Sequence, residues 1–166
     1  MIARLMFALV DFAARKGLVE SASGESPKQQ ARRTGIRGET YAYWYLRRHG
    51  YVLVARNYRT PGLKGEIDMV GYDGPVLAFV EVKTRAAANS AGPTDPSKPQ
   101  ARPEDAVNSE KRRNLTRMAR QFLRARRIES SACRFDVMAI ENRAGSRPEV
   151  RLHKGAFTAG PAAPRF

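Results

Sequence analysis

The feature that most constrains the fold is a pair of alternating apolar segments joined by a turn signal. Residues 63–72 and 76–84 flank Asp73-Gly74, and Asp-Gly between extended runs predicts a tight β-hairpin. Side chains alternate between the two faces of each strand. The face predicted to be apolar holds Ile67, Met69, Gly71, Val76, Ala78, Val80 and Val82. The opposite face is apolar near the turn and ends in Glu66, Asp68, Glu81 and Lys83.

The register of this hairpin brings acidic side chains together. A two-residue turn at Asp73-Gly74 places Asp68 opposite Phe79 and Glu66 opposite Glu81. Asp68 and Glu81 are then diagonal neighbours, with Cα atoms about 7–8 Å apart. Like charges at this spacing repel one another, and a divalent cation relieves that repulsion. With only two histidines and one cysteine in the chain, oxygen ligands and therefore Mg²⁺ or Mn²⁺ are expected.

This set of residues suits the hydrolysis of a phosphodiester bond. A metal ion held by Asp68 and Glu81 lowers the pKa of its bound water, and Lys83 can stabilise the charge that develops on the phosphorus oxygens. The predicted catalytic residues are therefore Asp68, Glu81 and Lys83. The alternative is an ordinary ion pair of Lys83 with Glu66 or Glu81 on a solvated face of the sheet.

The charge of the chain favours a polyanionic partner. Thirty Lys and Arg against sixteen Asp and Glu give a formal charge of +14 among 166 residues, which is typical of proteins that bind nucleic acid. Solvated arginines without a partner are the alternative. Cys133 is the only cysteine, so an intrachain disulfide is excluded and a reducing, cytoplasmic location is expected.

The order of predicted elements indicates a mixed α/β sheet with flanking helices. Ser109 is the expected N-cap of the second helix, and residues 86–103 are expected to form an irregular loop. The predicted elements are a helix at 35–49, a strand at 51–58, the hairpin, a helix at 109–127 and strands at 134–140 and 149–153. The predicted divisions are an extension with a linker at 1–33, a domain at 34–158 and a frayed tail at 159–166.

The start of the chain predicts an amphipathic helix. Its apolar residues at helical spacing are Ile2, Leu5, Met6, Leu9 and Phe12. Asp11 interrupts the apolar run, and no convincing cleavage site follows it, so a secretory signal is not expected. Nor does any stretch approach the length of a transmembrane helix. The helix can pack on the domain, touch a membrane surface or bind a partner, and a poorly ordered extension is the other alternative.

The acidic and basic residues of the hairpin resemble the PD-(D/E)xK nuclease pattern. More closely, the chain resembles the YraN family of small bacterial proteins, over about residues 35–157. The resemblance implies a restriction-endonuclease-like fold, shared with Holliday-junction resolvases and restriction enzymes. Its motifs are Gly38-Glu39, Arg56-Asn57-Tyr58-Arg59, Gly65-Glu66-Ile67-Asp68, Phe79-Val80-Glu81-Val82-Lys83-Thr84-Arg85, Ala106-Val107, Lys111 and Arg134-Phe135-Asp136-Val137. The loop at 86–103 and the extension before Thr34 depart from the pattern.

Both predicted helices carry residues with a candidate role. In resolvase-like relatives a glutamate of the first helix completes the metal site, so the resemblance implies Glu39 as a metal ligand beside Asp68 and Glu81. The alternative is an acid favoured by the helix dipole. On the second helix Lys111 begins the buried stripe, can point toward the site and is a candidate nucleic-acid-binding residue. The opposite side carries a stripe suited to a phosphate backbone or to solvent: Arg113, Arg117, Arg120, Arg124 and Arg127.

These expectations converge on a divalent-metal-dependent DNA endonuclease, with branched or single-stranded DNA as candidate substrates. The first alternative is a nucleic-acid-binding module of the same fold without turnover. A weaker alternative is a protein adaptor that uses the N-terminal amphipathic stretch. Resolvases of this fold act as dimers, which leaves a homodimer open.

Overall fold

The computed structural model describes residues 2–16, 26–86, 107–128, 132–142 and 146–158. The loop expected at 86–103, apart from Ala86, and the tail expected at 159–166 lie outside these residues. No helix in the described ranges is long and apolar enough to cross a membrane. The elements are α1 (Ile2–Lys16), α2 (Pro27–Arg48), β1 (Val52–Tyr58), β2 (Ile67–Asp73), β3 (Val76–Ala86), α3 (Ser109–Ala125), β4 (Cys133–Asn142) and β5 (Glu149–Phe157).

The five described strands form one mixed sheet in chain order, β1 to β5. β3 and β4 are parallel, and the other neighbouring pairs are antiparallel. A parallel pair needs a crossover connection, and α3 lies within it. The mixed α/β sheet with flanking helices that the sequence predicts is therefore confirmed. β3 is the central strand, which explains why its side chains are buried on both faces.

Each face of the sheet carries its own hydrophobic core. The side chains of the hairpin are divided between these two cores largely as the alternation in the sequence predicts. Ile67 is an exception, because it packs with the α3 core and not with Met69 and Val80. The α3 core combines Leu115, Met118, Phe122, Val70, Leu77, Phe79, Val137 and Phe157. The α2 core combines Phe7, Tyr41, Ala42, Leu46, Met69, Ala78, Val80, Met138 and Ile140.

The predicted register of the β2–β3 hairpin is wrong by two residues. Asp73 pairs with Val76, so the turn residues are Gly74 and Pro75 and not Asp73-Gly74. Gly74 has a φ of +59°, which meets the type II′ requirement for a positive φ at the first turn position. Because a shift of two residues preserves the alternation, each side chain of the paired residues keeps its predicted direction.

The helix starts also differ from the prediction. α2 begins at Pro27, so residues 27–33 are helical and not linker, and the division expected at residues 33 and 34 falls inside this helix. Ser26 caps it, and its side chain and that of Gln29 form a capping box. At α3 the N-cap is Asn108 and not Ser109, and its Oδ1 accepts a hydrogen bond from the Lys111 backbone N–H at 2.8 Å.

α1 is a helix, as its spacing predicts, but it docks with the other side. Phe7 is buried at 1% exposure and joins the α2 core, and Asp11 is buried beside it. Four of the five apolar residues that define the predicted stripe are exposed: Ile2, Leu5, Leu9 and Phe12. The residues that hold α1 against α2 are therefore not the ones that reveal the helix in the sequence.

Candidate active site

Glu81 and Lys83 lie where the central strand leaves the core. Because β3 is covered on both faces, Glu81 is only 4% exposed. Its Oε1 lies 2.8 Å from the Lys83 Nζ, and its Oε2 lies 3.3 Å from the Lys111 Nζ. Glu81 Oε2 nevertheless accepts no hydrogen bond of good geometry within the described residues. This oxygen is thus buried, next to a cation and open to a further ligand.

Asp68 lies beside Glu81 on the neighbouring strand. The pairing of Met69 with Val80 places Asp68 directly across from Glu81, closer than the diagonal position predicted from the sequence. Asp68 Oδ2 accepts a hydrogen bond of 2.6 Å from the Val82 backbone N–H. Burial, followed by repulsion from Glu81, raises the pKa of Asp68 to about 7. The charge of Asp68 is therefore poorly compensated, which is the surrounding that a bound cation would relieve.

A cleft of about 660 Å³ opens beside this pair, and Asp68 lines it. The turn between β1 and β2 forms one wall, and Lys111 at the start of α3 forms another. Glu66 belongs to this wall and not to the paired strands, and its Oε2 accepts a hydrogen bond of 2.9 Å from Arg59 Nε. The polar residues that line the cleft are Arg59, Thr60, Glu66, Asp68 and Lys111.

Glu39 reaches the neighbourhood of the site from α2. Its Oε2 accepts a hydrogen bond of 3.1 Å from Asn57 Nδ2, and its charge is the smallest of the resolved causes that raise the pKa of Asp68. The described residues contain no group of three or more His, Cys, Asp or Glu side chains placed to hold a metal ion. The structure thus joins Asp68 with Glu81 and leaves Glu39 outside the pair, so the predicted three-carboxylate set is not assembled.

A magnesium-like ion still fits the residues that are present. Mg²⁺ is commonly bound by one or two carboxylates, with waters and substrate phosphates completing its shell. Asp68 and Glu81 supply those two carboxylates, and the buried Glu81 Oε2 accepts no hydrogen bond of good geometry, with the Lys111 ammonium 3.3 Å away. The donor set therefore suits Mg²⁺ or Mn²⁺, and Asp68 and Glu81 are the residues that would hold the ion.

Comparison with known sequences places the chain in a family. The model of the uncharacterised protein family UPF0102, which is the YraN family, matches residues 38–140. The chain belongs to this family. It is 39% identical over 140 residues to a UPF0102 protein of Koribacter versatilis, which covers 84% of this chain and 90% of that protein. It is 43% identical to a Solibacter usitatus member over 72% of this chain and 82% of that protein. A Symbiobacterium thermophilum member is 39% identical over 78% of this chain and 99% of that protein.

The matched region of this UPF0102 chain includes the acidic pair, both lysines and the basic side of α3. Arg113, Arg117 and Arg124 are exposed, and Arg120 is half-buried. Arg127 lies beyond the end of α3 and has a φ of +53°, so it does not continue the helical stripe. Lys111, predicted to bind nucleic acid, contacts Glu81 at the same time. The stripe therefore begins beside the cleft and extends away from it.

Sequence reasoning missed Asn57 and Thr60 as residues of the site. Asn57 has a φ of +48°, a left-handed conformation that Asn tolerates better than most residues, and this conformation accompanies its hydrogen bond to Glu39. Thr60 lines the cleft, and its buried Oγ1 has no hydrogen-bond partner in the described protein. Only the Asn in a strand, where it is disfavoured, carries a signal in the sequence.

A second acidic cluster lies on the α2 face of the sheet, and protein donors surround it. Asp136 is fully buried and accepts hydrogen bonds from Arg134 Nε at 2.9 Å, the Gly155 N–H at 2.9 Å and the Tyr51 hydroxyl at 3.3 Å. Arg134 also pairs with Asp73, which Lys154 contacts at 2.7 Å. Hydrogen bonds from Lys154 and Arg134 lower the pKa of Asp73. This cluster is satisfied by protein groups and needs no ligand.

Proposed function

We propose that this protein is a divalent-metal-dependent DNA endonuclease that hydrolyses phosphodiester bonds. The observation that carries the proposal is the buried pair of Asp68 and Glu81, which face each other across β2 and β3, with Asp68 lining a cleft. Burial of two adjacent carboxylates is costly unless cations compensate them, and the ion pairs of Lys83 and Lys111 compensate Glu81. Branched or single-stranded DNA are the candidate substrates, in line with the resolvase resemblance.

The residues of the chain divide the work. A Mg²⁺ or Mn²⁺ ion bound by Asp68 and Glu81 would supply an activated water and polarise the phosphate. Lys83 holds its ammonium 2.8 Å from Glu81, and its role in the proposal is to stabilise the negative charge that grows on the phosphate oxygens. Lys111 comes from the opposite wall of the cleft and can contact the same phosphate or its neighbour.

The exposed arginines of α3 supply binding along the phosphate backbone. Arg113 and Arg124 are eleven residues apart in one helix, a distance of roughly 16 Å along its axis. Guanidinium groups pair well with phosphates. For each phosphate that they neutralise on duplex DNA, the slope of log binding constant against log salt becomes more negative by about 0.9. A DNA strand bound along α3 would therefore run outward from the cleft, starting at Lys111.

The decisive test is cleavage of a labelled panel of linear duplex, single strand, flap and four-way junction with Mg²⁺ or Mn²⁺. Asp68→Asn keeps the shape of the side chain and its acceptor for the Val82 N–H but removes a metal ligand. We expect it to cut at least about 100-fold more slowly than the parent while binding DNA as tightly. Glu66→Gln is the matched control, because Glu66 lines the same cleft but lies outside the pair. Equal cutting by the parent and Asp68→Asn contradicts the proposal.

A second candidate is a nucleic-acid-binding module without turnover. It is favoured by the two lysines that already contact Glu81 and by the absence of a third assembled acid among the described residues. Binding of the panel without cutting in either metal would favour this candidate over the nuclease.

The basic stripe has its own test. Arg117→Ala with Arg124→Ala removes two exposed cations from α3, and the slope of log binding constant against log salt should fall in magnitude by about 0.9 for each phosphate that the helix no longer neutralises. Lys28→Ala with Arg32→Ala removes two exposed cations from the start of α2 and is the matched control. An equal change in the two double variants would mean that binding follows net charge and not the α3 stripe.

A further inference from the structure

α1 is held to the domain by one side only. Phe7 is buried, and its ring meets Tyr41 and Tyr45 edge-on at centroid distances of 5.3 and 5.9 Å. Val10 and Ala14 are half-buried on the same side and pack against the same core. Docking of the helix therefore does not use the opposite side.

The only acidic residue of α1 belongs to this docked side and is neutralised there. Asp11 accepts a hydrogen bond of 2.7 Å from the Tyr41 hydroxyl, another of 2.9 Å from Arg147 Nε, and a third of 2.7 Å from an Arg15 terminal nitrogen. Burial opposes its charge, but these hydrogen bonds outweigh it and lower the pKa of Asp11. The outward side of the helix thus carries no negative charge.

The outward side is a stripe of large apolar residues at steps of three, four and three positions. Its members are Ile2, Leu5, Leu9 and Phe12, which are 72%, 63%, 55% and 54% exposed. The exposed charged residues of α1 are Arg4, Arg15 and Lys16, all cations. A contiguous apolar patch with a basic border is unusual for a protein surface without a partner.

We propose that α1 binds the surface of an anionic lipid bilayer and lies in the plane of the membrane, with this stripe in the headgroup boundary. Charge complementarity selects this occupant. A bilayer rich in acidic lipids attracts a chain of formal charge +14, whereas a second copy would bring two such chains and two basic borders together. A basic amphipathic helix with leucine and phenylalanine on its apolar side is typical of interfacial helices.

The test is co-sedimentation of the full chain with vesicles of phosphatidylglycerol and phosphatidylcholine, compared with phosphatidylcholine alone. We expect binding to the anionic vesicles. Leu5→Ser with Leu9→Ser leaves every charge in place and should weaken that binding at least about tenfold. Ile36→Ser with Val52→Ser is the matched control, because these residues are 54% and 63% exposed elsewhere on the surface, and it should bind like the parent.

A second measurement reports on the stripe directly. Phe12→Trp in a Trp44→Phe background should shift its emission to shorter wavelength when anionic vesicles are added. An unshifted emission overturns the proposal, and so does equal vesicle binding by the parent and Leu5→Ser with Leu9→Ser. Sedimentation velocity distinguishes the other occupant. If the parent forms a dimer and does not bind vesicles, and if Leu5→Ser with Leu9→Ser abolishes that dimer, then the stripe of α1 is an interface between two copies of the chain. Cleavage of DNA is measured separately, so either proposal can fail alone.

Discussion

Acidic side chains lie on both faces of the sheet, and the two groups meet different surroundings. On the α2 face, Asp136 and Asp73 share Arg134, and further donors complete their hydrogen bonds. On the α3 face, Asp68 receives one backbone hydrogen bond and faces Glu81. One carboxyl on the α2 face therefore has a lowered pKa, and one at the cleft has a raised pKa. Burial of acids alone does not mark a candidate site, whereas burial without full compensation does.

The largest expected effect separates the two groups by stability. Asp136→Asn removes the charge that compensates the half-buried Arg134, and we expect the free energy of unfolding to fall by about 3 kcal/mol. Asp68→Asn replaces a carboxyl that the folded state keeps protonated at about pH 5, and at that pH without metal it should cost less than about 1 kcal/mol. Urea unfolding of both variants with a chelator present measures the difference. Equal losses would mean that Asp68 is as structural as Asp136.

A smaller effect tests how closely α2 packs against β3 near the cleft. A Cβ at Gly38 would lie 1.7 Å from the Thr84 Oγ1, next to Lys83 and Glu39 in the sequence. Gly38→Ala should therefore force α2 away from β3 and cost about 1–3 kcal/mol. Gly35→Ala, in the same helix with nothing within 4 Å of the added atom, should instead gain up to about 1 kcal/mol.

Thermal unfolding and cleavage of the two alanine variants check this prediction. Activity per folded molecule should fall only in Gly38→Ala, because only that change moves Glu39 and Lys83 relative to the cleft. A Gly38→Ala protein as stable and active as the parent would show that the contact between α2 and β3 is loose.

Much of the fold follows from local patterns, and the failures have physical causes. The alternation in the hairpin fixes which faces Asp68 and Glu81 share, and a register error of two residues does not disturb it. The position of the turn depends on whether Asp73 belongs to the turn or to the strand. Asp73 forms ion pairs with Arg134 and Lys154, which are far from it in the sequence, so the local pattern could not show that it belongs to the strand.

Long-range contacts also explain what else the sequence did not reveal. The cluster around Asp136 brings together Tyr51 and Gly155, which are far apart in the sequence, so no local motif indicates it. α1 has apolar residues on two sides, and periodicity alone cannot tell which side meets the domain. The cap of α3 moved by one residue because Asn108 and Ser109 are both good N-cap residues.

The smallest expected effect is a dependence of stability on pH, to which Asp68 should contribute and Asp73 should not. The pKa of Asp68 is about 7 in the folded protein against 3.8 as its ordinary value. The folded state then binds the proton more tightly, so the stability of the metal-free protein falls as pH rises from about 4 to about 7. Asp68→Asn removes this loss, and its melting temperature should rise relative to the parent by roughly a few degrees between about pH 5 and about pH 8.

Asp73→Asn is the control. The pKa of Asp73 is lowered, so its contribution is already complete above its ordinary pKa and should stay constant over that range. Circular-dichroism melts in chelator give both differences, and a constant offset for Asp68→Asn would mean that its carboxyl is ionised and compensated throughout. If Asp68 and Glu81 hold the proposed metal ion, Mg²⁺ should stabilise the parent more as pH rises and leave Asp68→Asn nearly unchanged, because only the ionised pair would offer two carboxylate ligands.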